Sequence, residues 1–244
     1  AGHIDGAAET LMMRRDTHID SLLERLKEPR VRKVIEPMLS GGEAAVDPLS
    51  DDTRFCLDLG LVKATAAGAL SPANPIYREV MVRTLTYHAQ VSLPENLINR
   101  WMDGEKLDLT ALLREFQQFW RENSEIWEER YEYKEAAPHL IFQAFLQRVV
   151  NGGALILREM ATGRGRVDLG VLYAGRKYVV ELKLAGREPL EKSLGQTAGY
   201  MDSQGVREAW LVVFDRDVKK SWEKKLFRED RTLPDGKVVH VVGC

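Results

Sequence analysis

Two cysteines in 244 residues, Cys56 and Cys244, stand 188 positions apart with no CxxC or Cys/His spacing around them. That scarcity excludes a disulfide framework and a zinc site, and places the chain in a reducing, cytoplasmic setting. Long hydrophobic runs are missing too. No stretch approaches the roughly 18 apolar residues of a membrane span, and the N-terminus lacks the basic-then-apolar order of a signal peptide. There is no GxxxxGK[ST] loop, so hydrolysis of a nucleoside triphosphate is not expected from this chain. Bulk charge is lacking as well: 35 Lys+Arg against 37 Asp+Glu leave a net charge of −2. A whole-chain basic footprint for nucleic acid is therefore absent. What is present, 44% hydrophobic and 30% charged residues, is the composition of an ordinary globular protein.

Charge becomes informative when divided. Residues 151–244 carry 17 basic and 13 acidic side chains, whereas residues 1–150 carry 18 and 24. The C-terminal part is thus the one suited to meet an anion. Periodicity divides the chain in the same way. Thr10 to Leu39 is helix-rich, with Ile19, Leu22, Leu23 and Leu26 at helical spacing, an interruption at Pro29, and resumption through Val31, Val34, Ile35 and Met38. Asp51-Asp52 are placed to cap a short helix ended by Gly60, two short strands follow, and Ile76 to Leu85 forms another helix. From Leu93 to Tyr133 the chain is acidic, aromatic and mostly helical. Its stripe of Leu109, Leu112, Leu113, Phe116, Phe119, Trp120 and Trp127 belongs to a core and not to a base-stacking platform. A further helix around Pro138 is apolar nearly all round and should be buried. His139 on it reads as a structural histidine.

The remainder alternates strand and helix: strands over 154–160, 166–173, 178–184, 209–215 and 237–242, helices over 189–203 and 219–227. This is an α/β domain. Its informative part is the hairpin Gly165-Arg166-Val167-Asp168 to Tyr173, then Tyr178 to Glu181-Leu182-Lys183-Leu184. Side chains two apart on a strand share a face, so Glu181 and Lys183 point together, away from Val180, Leu182 and Leu184. A turn centred between Gly175 and Arg176 sets Asp168 opposite Lys183 and Gly170 opposite Glu181. It also pairs Leu169, Val171 and Tyr173 with Leu182, Val180 and Tyr178. One face is then apolar and the other collects Asp168, Glu181 and Lys183. Two close carboxylates repel unless a cation lies between them, and Mg²⁺ (or Mn²⁺) takes one or two carboxylates plus waters and phosphate. The Leu182 carbonyl can add an oxygen, and a neighbouring lysine can orient or deprotonate water. On the next helix Lys192, Gln196 and Tyr200 form a polar face opposite Leu194, Ala198 and Met201, and with Arg166 they are the candidate substrate contacts.

Over residues 131–244 the sequence resembles the PD-(D/E)XK nuclease superfamily, in its RecB-like branch. The motifs are Gly165-x-x-Asp168, Glu181-Leu182-Lys183 and Gln196-Thr197-Ala198-Gly199-Tyr200. The resemblance implies a restriction-endonuclease-like core with a mixed central sheet flanked by helices. It further implies Asp168 and Glu181 as metal ligands, Lys183 as the catalytic lysine, Gln196 and Tyr200 on the substrate side, and Glu135 as the first-helix glutamate. Met13 to Leu23 and Asp51 to Arg83, especially Ala73-Asn74-Pro75-Ile76-Tyr77-Arg78-Glu79, are similar to the region after the ATPase core in AAA+-type ATPases that end in such a nuclease domain. That resemblance implies a winged-helix module, inclined to pack on neighbours because it is acidic, and a chain cut from a longer polypeptide. A start at Ala1-Gly2-His3 without methionine agrees with such a cut, or with a leftover tag. The expected organisation is a winged-helix-like module over 1–92, a helical bridge over 93–130 and a nuclease-like domain over 131–244. The expected function is metal-dependent hydrolysis of DNA, with an ATPase domain of the same polypeptide as partner. The alternative is a catalytically inactive nuclease fold that binds DNA or protein.

Overall fold

The computed structural model describes residues 17–39, 50–65, 68–92, 101–128, 131, 136–151, 154–161 and 166–244. Two compact units emerge, Ala1–Leu93 with Glu125–Phe145, and Pro94–Ser124 with Leu146–Cys244. Among the described residues no helix is long and apolar enough to cross a membrane.

In the first unit, helices α1 (Thr17–Arg25) and α2 (Pro29–Leu39) meet at Pro29, which opens the second helix where its missing N–H costs nothing. Ile19, Leu22, Leu26, Val31, Val34 and Ile35 are buried, as their spacing predicts. Helix α3 (Asp51–Asp58) is capped by Ser50, whose Oγ accepts the Thr53 N–H at 3.0 Å. The expected caps, Asp51 and Asp52, instead occupy the first turn, where the helix dipole favours negative charge. Strands β1 (Val62–Ala64) and β2 (Leu70–Pro72) pair antiparallel. Asn74 then caps α4 (Pro75–Ser92) by accepting the Tyr77 N–H at 2.8 Å. This helix runs seven residues past the expected end at Leu85. The residues before Thr17 that were expected to be helical lie outside the described residues.

The second unit is built on a mixed six-stranded sheet. A small hairpin, β3 (Met102–Asp103) and β4 (Lys106–Leu107), leads into α5 (Leu109–Glu128); α6 (Ala136–Asn151), which belongs to the first unit as far as Phe145, precedes the sheet strands. Strands β5 (Leu155–Ala161), β6 (Arg166–Tyr173) and β7 (Arg176–Leu184) are antiparallel neighbours. Helix α7 (Leu190–Gln204) carries the chain to β8 (Glu208–Phe214), parallel to β7. After a single turn of helix, α8 (Trp222–Lys225), β9 (Arg228–Thr232) closes the sheet edge and β10 (Val238–Gly243) lies between β8 and β9. The sheet order is β5-β6-β7-β8-β10-β9.

Its two faces are covered differently. On one, Val179, Ala209, Leu211, Val239 and Val241 pack with Leu194 and Met201 of α7. On the other, Phe214 meets Phe116 and Trp120 of α5 edge-on, with ring centroids 6.0 and 5.5 Å apart. The Phe and Trp stripe is therefore core at these positions, and each such side chain contributes about 1.5–3 kcal/mol by burial. Gln117 ties α5 to the sheet by donating to the Gly243 carbonyl at 2.6 Å.

Two expectations need correction. Residues 219–227 are helical only over Trp222–Lys225, and the strand Arg228–Thr232 was not expected. Arg-Glu-Asp-Arg-Thr has no apolar alternation to betray a strand. It pairs through its backbone with Val238–Val242, and its charges suit an exposed edge. The β6–β7 register also differs from the expected one.

Candidate functional site

The β6–β7 hairpin turns on Ala174 and Gly175, both at positive φ (47° and 77°). A two-residue turn of this kind matches the right-handed twist of paired strands. The rungs are consequently Tyr173–Arg176, Val171–Tyr178, Gly170–Val179 and Leu169–Val180, two residues away from the expected pairing. Asp168 does not face Lys183, nor Gly170 Glu181. Because the slip is even, every side chain keeps its face. Asp168, Glu181 and Lys183 still share one side.

Beyond the Leu169–Val180 rung, side chains take over from the backbone ladder. The Asp168 N–H donates to Glu181 Oε2 at 3.3 Å, and the Leu182 N–H donates to Asp168 Oδ2 at 2.9 Å. Each carboxylate thus clasps the opposite strand. Glu181 is only 2% exposed, and its Oε1 lies 3.1 Å from Lys183 Nζ. Burial pushes the Glu181 carboxyl above its ordinary range, against the pull of the Lys183 charge and the Asp168 N–H. Burial by itself would lower Lys183, but Glu181 above all, then Asp168 and Glu188, hold its ammonium above the usual lysine value. Lys183 is therefore a fixed positive charge at neutral pH.

The connection from β7 to α7 adds a residue that sequence reasoning missed. Glu188 Oε1 lies 3.2 Å from Lys183 Nζ and accepts from Ser193 Oγ at 2.9 Å, and Oε2 lies 3.2 Å from Lys192 Nζ. The four-residue interval from Glu188 to Lys192 was a readable signal, had the helix spacing been extended past its cap at Pro189. On α7, Lys192 is largely exposed, and the one buried oxygen of Gln196 has no hydrogen-bond partner. Tyr200 leans on the apolar cluster under α7. Burial first, then the negative charge of Glu181, raises its hydroxyl pKa. The polar face of α7 is thus mixed: Ser193 and Thr197 are buried alongside Leu194 and Met201.

Arg166 begins β6, and its side chain, like all of Glu135, lies outside the described residues. His139 is buried on α6. Leu182 is on β7 opposite Val212 of β8. No group of three or more His, Cys, Asp or Glu able to hold a metal ion occurs among the described residues. The set at hand is two carboxylates from adjacent strands, a strand carbonyl and a charged lysine.

Residues 110–217, which include this whole constellation, match a family described as a domain of unknown function, DUF8371. No curated protein and no solved structure matches the chain.

Proposed function

We propose that this chain is a metal-dependent nuclease of the PD-(D/E)XK type, in its RecB-like branch, which hydrolyses phosphodiester bonds in DNA. One observation carries the reading: Asp168, Glu181 and Lys183 gather on one face of β6 and β7 where the ladder gives way to side chains. The α/β unit with its mixed sheet is the setting such a core requires. The donor set fits Mg²⁺, which is satisfied by one or two carboxylates plus waters and phosphate and does not need a cage of protein ligands. Asp168, Glu181 and the Leu182 carbonyl would hold it, and when bound it would polarise the phosphoryl group and lower the pKa of a water.

The chain's own residues supply the rest. Lys183, held charged, orients the attacking water and offsets charge gathering on the phosphate, and a protonated ammonium is suited to this role more than to that of a base. Glu181 fixes Lys183 from below and the Asp168–Leu182 bond fixes the strand spacing. Lys192, Gln196 and Tyr200 border the site on α7, and Arg166 stands at the start of the Asp168 strand, as contacts for the nucleic-acid backbone. The hairpin and helices of residues 17–92 we read as winged-helix-like, and the chain as the C-terminal portion of an AAA+-type ATPase working in the cytoplasm.

The test is cleavage of single- and double-stranded DNA with Mg²⁺ or Mn²⁺. Wild type should cut, EDTA should stop it, and Lys183→Ala should be inactive. Cleavage that survives either change would sink the assignment. A second reading, a nuclease fold that binds without cutting, is favoured by Glu181 being 2% exposed and already paired with Lys183 at 3.1 Å. Binding of DNA with no cleavage on any substrate or metal would select it.

A further inference from the structure

Glu188 belongs to the stretch between the end of β7 at Leu184 and the start of α7 at Leu190. Its carboxylate is met by two ammonium groups and a hydroxyl: Lys183 from the strand, and Lys192 and Ser193 from the first turn of the helix. Two ammoniums and a hydroxyl converging on a pair of oxygens form a donor set for an oxyanion, and such charge-assisted bonds suit phosphate as well as carboxylate. We propose that Glu188 is an internal occupant of a phosphate seat, and that Lys183, Lys192 and Ser193 receive a backbone phosphate of nucleic acid once Glu188 turns outward. The identity of the anion rests on the nuclease reading.

Two of the donors, Lys183 and Ser193, are held by the strand and the helix independently of Glu188. Ser193 is 2% exposed within α7, and Lys183 keeps its contact with Glu181 when Glu188 leaves. Glu188 stands outside any helix or strand, two residues after Gly186, whose φ of +82° marks a tight turn. Its bond to Lys192 is a weak restraint, because that side chain is 64% exposed and solvent competes for it. Asp168 and Glu181 already bring negative charge to this face, so Glu188 also repels an arriving phosphate while it stays. The seat adjoins Lys183, so a phosphate bound there lies next to the group proposed to act on it.

The experiment measures DNA affinity without cleavage. A short fluorescent single-stranded oligonucleotide is titrated with the full chain in EDTA at several salt concentrations. Glu188→Gln keeps the shape, removes the charge and weakens the competitor. It should bind about tenfold more tightly at low salt, and its affinity should fall more steeply with salt. Adding Lys192→Ala to Glu188→Gln should cancel most of the gain. Should Glu188→Gln shift the thermal midpoint, Glu188→Ala provides a second variant with the same expected direction. Equal affinity, weaker binding by the folded variant, or no binding by either protein overturns the proposal. Tighter binding by Glu188→Gln without cleavage in Mg²⁺ would uphold the seat while sinking the nuclease reading. Cleavage with unchanged affinity would sink the seat alone.

Discussion

Strand β7 has two faces that differ by a single residue of alternation and by almost everything else. Val180, Leu182 and Leu184 lie beside Trp210, Val212 and Phe214, on the side closed by the aromatic residues of α5. Glu181 and Lys183 lie beside Leu211 and Val213, on the side of α7, and carry charge there, Glu181 buried and Lys183 partly exposed. Burying an ion pair costs desolvation that its mutual attraction only roughly repays, whereas burying aromatic rings is favourable outright. One face therefore stabilises the sheet, and the other carries the charged residues on which the proposed chemistry rests.

The largest expected effect tests the charged face. Lys183→Ala should lower DNA cleavage by about 10²–10³-fold, the scale of losing one preorganised charge, and should also melt earlier, because it leaves the buried Glu181 without its partner. A folded Lys183→Ala that cuts at the wild-type rate would return Lys183 to a structural role. The mirror experiment is Phe214→Ala on the apolar face. It should cost about 3–5 kcal/mol in denaturant unfolding, since the ring is fully buried between Phe116 and Trp120. A loss under 1 kcal/mol would mean that α5 is not holding the sheet.

Smaller changes sharpen the contrast. Glu181→Gln should leave stability within about 1 kcal/mol, because Lys183 retains Glu188 and the buried carboxylate no longer has to be desolvated. The same variant should lose Mg²⁺-induced stabilisation in a thermal shift assay. Full retention of that stabilisation would remove Glu181 from the metal set. Smallest of all, Ala174→Asn should gain about 0.5–1 kcal/mol, since asparagine tolerates the left-handed conformation that alanine adopts there under strain. A loss of stability would argue against the observed turn and with it the register.

Which side chains share a face was legible from alternation, and that alone was enough to group Asp168, Glu181 and Lys183. Their pairing was not. The register depends on which two residues turn, and nothing in Ala174 announces that it accepts a positive φ. Glu188 lies outside the helix, just before its cap at Pro189, so its four-residue interval to Lys192 is readable only when helical spacing is carried past the cap, and its contact with Lys183 is not readable at all. Arg228–Thr232 escaped notice because an edge strand can be held by backbone pairing with no apolar pattern.

The sequence by itself determined the α/β character of the C-terminal part, the buried stripe of α5 and the two-faced hairpin, since periodicity of 3.6 or 2 is a local property that burial must respect. Only the tertiary structure decided the sheet order, the two-residue slip and the seat that Glu188 fills. Those depend on how separate elements meet, and a chain records its own alternation far better than its distant partners.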